Sequence, residues 1–160
     1  MPSGVRVLVL GAALGCGLLG GVLFAFSACV MPALRRLPGD QGVAAMQSIN
    51  ITAVRPAFGM AILGTAVACA AVAVVAFRRW GEPGSVLLVV GVGTFFIGGL
   101  VVTGLLNVPM NERLAVLEPA TAVANGDWAD YLKWWTLANH VRTVAALAAS
   151  ACLMAAAVRA

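Results

Sequence analysis

The chain has 160 residues, of which 62% are hydrophobic and only 10% carry a charge. A soluble domain needs roughly 25% charged residues to cover itself with a wetted surface, so this composition argues against a soluble globular protein. The net charge of +4 comes from basic residues that stand singly or in pairs. Because they form no basic stripe that could follow a phosphate backbone, we expect no nucleic-acid partner.

Four apolar runs predict four transmembrane helices, because about 20 residues are needed to cross the hydrocarbon core. We place these spans at about residues 7–33, 56–78, 85–108 and 135–158, within a single membrane domain that covers residues 1–160. We expect the first helix to end near Met31 and Pro32, since proline is costly in a helix interior. The predicted fold class is all-α, a four-helix integral membrane bundle whose termini lie on one side.

The first long loop, residues 35–55, predicts a helix outside the membrane. Its apolar and amide residues recur at spacings of three and four, which places them on one face: Val43, Met46, Ile49 and Asn50. The loop after the third span predicts a shorter helical piece around residues 113–117 and then a turn at Asn125 and Gly126. Both long loops lie on the same face of the membrane.

Small residues recur at intervals of four in the first span, as in Gly11/Gly15 and Gly17/Gly21. In lipid such spacings let helix backbones approach closely, so they predict tight packing within the bundle, and a homo-oligomer is the open alternative. The face with the short loop carries a dense set of bases: Arg6, Arg78, Arg79 and Arg159. By the positive-inside rule we expect this face, with both termini, in the cytoplasm of a bacterial-type plasma membrane.

Polar residues gather at helix ends on the opposite face. The members of this cluster are Asn50 and Arg55 before the second span, Asn107, Asn111 and Arg113 at the end of the third, and Asn139, His140 and Arg142 at the start of the fourth. Polar groups at membrane depth are costly and usually face the bundle interior or a cavity. We therefore expect a polar pocket that the two long loops cover.

Each of these residues also has a structural interpretation. Arg142 can extend to the interface, His140 can be a hydrogen-bonded strut between helices, and the two asparagines of the third span can cap a break at Pro109. Trp134 and Trp135 are typical of an interfacial belt, with stacking on a bound ring as the alternative.

The chain has one histidine, which argues against a multi-histidine metal site within one chain. We predict no metal and no bound cofactor, although residue counts leave a single-histidine haem open. One titratable base beside an arginine and several amides suits abstraction of a weakly acidic proton, with Arg and Asn donors on the resulting oxyanion.

Residues 107–114 (NVPMNERL) and 134–143 (WWTLANHVRT), together with residues 20–24 and 31–34 at the exit of the first span, resemble the anthrone oxygenase-like family of small membrane proteins. The resemblance implies a four-helix membrane fold. For some members it implies oxidation of an anthrone to an anthraquinone by molecular oxygen, as part of polyketide biosynthesis and without a bound cofactor. It covers essentially the whole chain and transfers fold better than substrate.

The resulting hypothesis is a membrane oxygenase for an apolar, anthrone-like substrate with O2 as co-substrate. In it His140 removes the proton, while Arg142 or Arg113, together with Asn107 and Asn111, stabilises the oxyanion. The expected substrate-binding residues are Arg113, Asn139, Asn50, Arg55, Trp134 and Trp135. The competing hypothesis is a non-catalytic binding or accessory protein whose polar pocket holds a lipid head group, a quinone or a small anion.

Overall fold

Helices make up the regular secondary structure of this chain. A computed structural model describes residues 1–53 and 56–159, and the predicted site residue Arg55 lies outside this described part. Within it the helices are α1 Ser3–Arg36, α2 Gly39–Ala53, α3 Pro56–Arg78, α4 Ser85–Ala115, α5 Pro119–Ala124 and α6 Asp127–Arg159. Four of them, α1, α3, α4 and α6, are long and apolar enough to cross a bilayer. The prediction of an all-α membrane bundle is confirmed.

Three of the four spanning helices are longer than a bilayer is thick. α1, α4 and α6 have 34, 31 and 33 residues. At about 1.5 Å per residue each is roughly 45–50 Å long, against about 30 Å of hydrocarbon core. α3 has only 23 residues and joins α4 through a short turn, Arg79–Gly84. The extra length of the other three helices therefore projects from the opposite face, where the two long loops lie.

Two prolines lie inside spanning helices without ending them. α1 continues past Pro32 to Arg36, so the expected end near Met31 and Pro32 is wrong. A π-helical turn, Phe26–Val30, comes just before that proline. α4 contains two π-helical segments, Phe95–Val101 and Thr103–Asn107, and the latter comes just before Pro109. Each proline lies in the first turn after a π-helical turn. The wider π-helical turn and this position together accommodate the missing N–H of the proline. The helix that contains the third predicted span accordingly continues to Ala115, beyond residue 108.

The fourth span begins outside the membrane, at Asp127 rather than near residue 135. Asp127 and Asp130 occupy its first turn, where carboxylates interact favourably with the positive end of the helix dipole. Charge made this turn look like a loop in the sequence. It is the wetted beginning of a 33-residue helix.

Small residues let the spans approach closely. A Cβ added to Gly98 of α4 would lie 2.5 Å from Cβ of Ala145 in α6, and one added to Gly15 of α1 would collide with Thr65 of α3. Gly11 and Gly21 have no such neighbour within 4 Å. Tight packing inside the bundle therefore explains Gly15 but not Gly11. A homo-oligomer stays a prediction.

The projecting helix ends carry a second hydrophobic core, separate from the one inside the membrane. It is formed by Met31, Leu34, Val43, Met46, Leu114, Ala122, Trp128, Tyr131, Leu132 and Trp135. α2 covers this core with the face that the sequence predicted. Gln47 of α2 also donates two 2.9 Å hydrogen bonds, to the carbonyls of Leu114 and Leu117 at the end of α4. These two hydrogen bonds tie α2 to the last turn of α4 and to the segment that follows it.

Candidate functional site

An amide–aromatic cluster joins three helices where α4 and α6 leave the membrane. Oδ1 of Asn111 accepts one hydrogen bond from the hydroxyl of Tyr131 at 2.7 Å and another from Nε1 of Trp135 at 2.8 Å. Nδ2 of Asn50, from α2, lies 3.5 Å from the same hydroxyl and donates to it. The structure thus brings together three predicted site residues, Asn50, Asn111 and Trp135.

The rings of this cluster are stacked on the inner face of α6. Tyr131 lies between Trp128 and Trp135, with centroid distances of 5.7 and 6.1 Å and interplanar angles of 17° and 20°. Phe26 of α1 packs against Trp135 at 5.8 Å. The expectation of an interfacial belt is therefore wrong for Trp135, which is buried. Only Trp134 points outward, with 51% of its surface exposed.

Two asparagines lie deeper in the bundle and are almost fully buried. Asn107 is 1% exposed and donates to the carbonyl of Trp135 at 3.4 Å. Asn139 is 0% exposed, and its Nδ2 donates to the carbonyl of Leu23 and to Oγ of Ser27, both at 2.8 Å. Asn139 therefore ties α6 to the π-helical part of α1.

Unpaired polar atoms concentrate at this depth. Among the described residues, four buried side-chain atoms have no hydrogen-bond partner: Asn107 Oδ1, Thr136 Oγ1, Asn139 Oδ1 and Arg142 Nε. Three of them belong to residues spaced by three on α6, which span about 9 Å along the helix axis. Buried polar groups are normally paired, with protein or with ordered water. Four unpaired atoms in one layer of the bundle therefore indicate a place where water or a polar ligand group binds.

Arg142 lies at the inner end of this polar layer and lines a small cavity inside the membrane. All four spans contribute to its wall: Leu19 and Leu23 of α1, Phe58 and Ile62 of α3, Phe95, Gly99, Leu100 and Thr103 of α4, and Arg142 and Ala146 of α6. Among the described residues that line it, Arg142 alone is charged. The cavity has a volume of about 50 Å³. That is room for a carbonyl group or a water molecule beside the guanidinium, but not for a fused ring system.

A separate, more polar cavity of about 190 Å³ opens outside the membrane. It is lined by Met110, Arg113, Leu114, Leu117, Asp127, Asp130, Tyr131 and Trp134. Two residues predicted to bind substrate, Arg113 and Trp134, thus lie here and not in the Arg142 cavity. Tyr131 belongs to this cavity and to the amide–aromatic cluster, so the two are adjacent.

His140 does not face any of these sites. Its side chain is exposed on the outer surface of α6, in line with the exposed residues Leu137 and Val144. Successive residues of an α-helix are about 100° apart. Because Asn139 is buried and Arg142 faces inward, His140 faces outward. The expectation that His140 belongs to the polar pocket is therefore wrong.

The sequence analysis missed several residues of the site. Tyr131 comes four residues before Trp135 and eight before Asn139, a helical spacing that could have placed it on the inner face. Ser27, Thr136 and Phe58 had no such signal, because their roles depend on contacts between helices. Among the described residues, no group of three or more His, Cys, Asp or Glu side chains is placed to hold a metal ion.

The comparison with known families agrees with this architecture. The family described as anthrone oxygenase matches residues 55–152, which is more than half of the chain. The matched range includes α3, α4 and most of α6, with every predicted site residue except Asn50. Neither a curated protein nor a solved structure matches the chain. On the strength of the family match, the chain belongs to the anthrone oxygenase family.

Proposed function

We propose that this protein is a membrane oxygenase that oxidises an anthrone-like polycyclic aromatic ketone with O2. Family membership supports the reaction class. The observation that carries the proposal further is the placement of Arg142, which lines a cavity between all four spans in which no other described lining residue is charged. A permanent cation at membrane depth is costly unless it faces an interior site or a partner, so its position is typical of a functional residue.

Arginine is chemically suited to the reactive form of such a substrate. Removing a proton from the methylene carbon of an anthrone gives an enolate whose negative charge resides largely on the ketone oxygen. A guanidinium group is a cation at neutral pH and presents several N–H donors in one plane. In a site that excludes water, such a donor stabilises an oxyanion more strongly than it would in water. Arg142 therefore lowers the free energy of the enolate.

The proposed reaction uses one O2 for each substrate and needs no other oxidant. The methylene carbon loses a proton, and the enolate transfers electron density to O2 as a carbon–oxygen bond forms. Protonation of the terminal oxygen gives a hydroperoxide. Loss of the second hydrogen from the same carbon, with cleavage of the O–O bond, then gives the second ketone and one molecule of water. Substrate and O2 thus become anthraquinone and water.

The proton leaves toward the polar layer rather than to His140, which faces outward. Oδ1 of Asn107, Oγ1 of Thr136 and Oδ1 of Asn139 are buried acceptors without a partner. Buried water typically makes about three hydrogen bonds to such groups. In this proposal water hydrogen-bonded to these acceptors relays the proton out of the site to a base in bulk solvent, so that no second positive charge stays beside Arg142.

The test uses purified protein in lipid nanodiscs. O2-dependent conversion of a simple anthrone is followed against empty nanodiscs, which give the spontaneous rate. We expect Arg142→Gln to lower the protein-dependent rate about 10²–10³-fold, the usual loss when one oxyanion donor is removed. Arg142→Lys keeps the charge and loses the planar fork, so its rate should lie between the two. A rate for R142Q equal to that of the unsubstituted protein would contradict the proposal.

One observation favours the alternative of a non-catalytic binding protein. The outer cavity places Arg113 near two acidic residues and the exposed ring of Trp134, a set suited to a polar head group. Under this alternative Arg113→Gln would weaken ligand binding, and no protein-dependent oxidation of anthrone would be measured with any variant.

A further inference from the structure

A groove lies between α1, α2 and the start of α3, on the side of the bundle where the long loops lie. It has a volume of about 290 Å³ and is lined by Val22, Phe26, Ser48, Ile49, Thr52, Ala53 and Phe58. The lining is mostly apolar, with the hydroxyl groups of Ser48 and Thr52 as its polar part.

The surroundings of the groove indicate that it opens on lipid. Ile51, at the C-terminal end of α2, is 74% exposed. Phe24 of α1 and Met60 of α3 are also exposed apolar residues. All three helices that border the groove thus carry a large apolar side chain on their outer surface, which is expected where a protein contacts acyl chains and is uncommon in contact with water.

The groove and the Arg142 cavity are neighbours. Phe58 lines both of them. On α1, Val22 and Phe26 line the groove while Leu19 and Leu23 line the cavity, so the two spaces lie along the same turns of one helix. The ring of Phe58 is therefore part of the partition between an apolar space open to lipid and the charged end of the site.

We propose that this groove is the membrane-side entrance and the binding site for the ring system of a planar aromatic ketone, whose carbonyl oxygen reaches Arg142 past Phe58. This inference rests on the proposed function and adds to it a location for the substrate. The division of volume supports it, because the Arg142 cavity of about 50 Å³ admits only the carbonyl. The groove of about 290 Å³ is close to the lower end of small-molecule sites, roughly 300 Å³.

Aromatic side chains supply the matching chemistry. Phe26 and Phe58 face the groove, and aromatic rings attract one another in offset or edge-on arrangements by about 0.5–1.5 kcal/mol beyond the area that they bury. An apolar ketone already dissolves in the bilayer, so an opening toward lipid needs no passage through water.

The test fills the groove without touching Arg142. Val22→Trp, on α1, and Thr52→Trp, on α2, place an indole in the groove. Two matched controls place the same side chain on lipid-exposed positions nearby: Leu18→Trp, one turn away on α1 at a residue 60% exposed, and Ile51→Trp beside Thr52. The two groove variants lie on different helices, so misfolding of one does not remove the test. Circular dichroism and thermal unfolding confirm that each variant is folded.

Binding is measured with benzophenone, a diaryl ketone that cross-links to C–H bonds under near-ultraviolet light. In nanodiscs, we expect adducts enriched in peptides that contain Val22–Phe26 and Ile49–Thr52, relative to peptides from the lipid-facing side of α4, and competition by anthraquinone. V22W and T52W should lower this labelling about tenfold, which corresponds to 1.4 kcal/mol of binding free energy, while L18W and I51W leave it unchanged.

The outcomes separate the two proposals. Labelling spread evenly over lipid-facing peptides, or equal labelling in the groove variants and their controls, would overturn the groove proposal even if anthrone were oxidised. Specific labelling without any anthrone oxidation would support the groove as an aromatic-ketone site and contradict the proposed reaction. If both hold, V22W and T52W should raise the KM for anthrone while R142Q mainly lowers kcat.

Discussion

The indole nitrogen of Trp135 donates a 2.8 Å hydrogen bond to the side-chain oxygen of Asn111. The hydroxyl of Tyr131 donates a second hydrogen bond to the same oxygen at 2.7 Å. One amide of α4 thus satisfies two aromatic donors of α6 at the level where both helices leave the membrane. These hydrogen bonds fix the side chains of Tyr131 and Trp135, and Tyr131 also lines the outer cavity.

Replacing that acceptor should destabilise the protein. Asn111→Leu has a similar volume but leaves the hydroxyl of Tyr131 and the indole N–H of Trp135 without a partner. Each buried donor without a partner costs about 1–3 kcal/mol, so we expect the two together to lower the free energy of unfolding by about 2–6 kcal/mol. The measurement is reversible unfolding in detergent, with Asn125→Leu, in an exposed turn, as the control. Equal midpoints for the two variants would show that the paired hydrogen bonds contribute little.

Loss of the histidine should have little effect on catalysis. His140→Ala removes a side chain that is exposed on the outer surface of α6. Surface substitutions away from special features usually change stability by less than about 0.5 kcal/mol, and the oxidation rate in nanodiscs should fall less than about twofold. A loss as large as that of R142Q would instead restore His140 as the base of the reaction.

Close approach of α4 and α6 gives a prediction about glycine. Gly98→Ala places Cβ 2.5 Å from Cβ of Ala145, so the helices must separate, at a cost of about 1–3 kcal/mol for overpacking. Gly93→Ala, on the same helix, meets no side chain within 4 Å and serves as the control. Thermal unfolding in one detergent should give a lower midpoint for G98A than for G93A. The reverse order would contradict the observed packing of the two spans.

The short helix α5 should depend on pH through its N-cap. The side chain of Glu118 accepts a 3.0 Å hydrogen bond from the backbone N–H of Thr121. That N–H and the one of Ala120 hold the pKa of the Glu118 carboxyl below its ordinary value. Because the pKa is lower in the folded state, the stabilisation is present above the unfolded value of about 4.3 and is lost as the pH falls through the folded value.

The measurement is hydrogen exchange of the α5 amides, corrected for the intrinsic rate at each pH. We expect protection in the unsubstituted protein to fall at acidic pH, and Glu118→Gln to remove that dependence because it cannot ionise. Glu112→Gln, at an exposed position of α4, is the control. If E118Q kept the same pH profile, the cap would not be its source.

The orientation of the bundle is also open to a direct test. Arg78 and Arg79 lie at the short turn between α3 and α4, on the same face as both termini. Arginine in short loops favours the cytoplasmic side, so we expect a C-terminal green fluorescent protein to be fluorescent and a C-terminal alkaline phosphatase to be inactive. The same two reporters inserted after Gly126 should behave in the opposite way. An active alkaline phosphatase and a non-fluorescent green fluorescent protein at the C-terminus would place the termini outside.

The sequence predicted the fold more completely than the site, and the reason is physical. Lipid requires about 20 apolar residues for each crossing, and this requirement is visible as uncharged runs in the chain. The ends were harder, because a helix that leaves the membrane keeps its hydrogen bonds while its composition becomes polar, as at Asp127. Pro32 and Pro109 were interpreted as helix ends because no local sequence pattern predicts the π-helical turns that precede them.

The site was predicted in part. Asn107, Asn111, Asn139 and Arg142 were selected because polar residues are costly at membrane depth. The structure buries all or part of each, and their role in a functional site stays a prediction. Which way a residue faces depends on the rotation of its helix. The four residues Asn139–Arg142 cover most of one helical turn, so they face different directions. His140 was therefore grouped with neighbours that face inward. Phe58 and Ser27 belong to the site through contacts between helices, which no local pattern encodes.

The π-helical turn Phe26–Val30 carries one residue more than a regular α-helical turn would in that part of α1. One residue of an α-helix corresponds to about 100° of rotation, so a deletion in a regular part of the helix would turn Met31 and Leu34 away from the outer core. Deleting a single residue within Phe26–Val30 would instead let α1 become regular there and leave Met31 and Leu34 facing the outer core. A π-helical turn is therefore a place where the length of a span can change by one residue without rotating the segment beyond it.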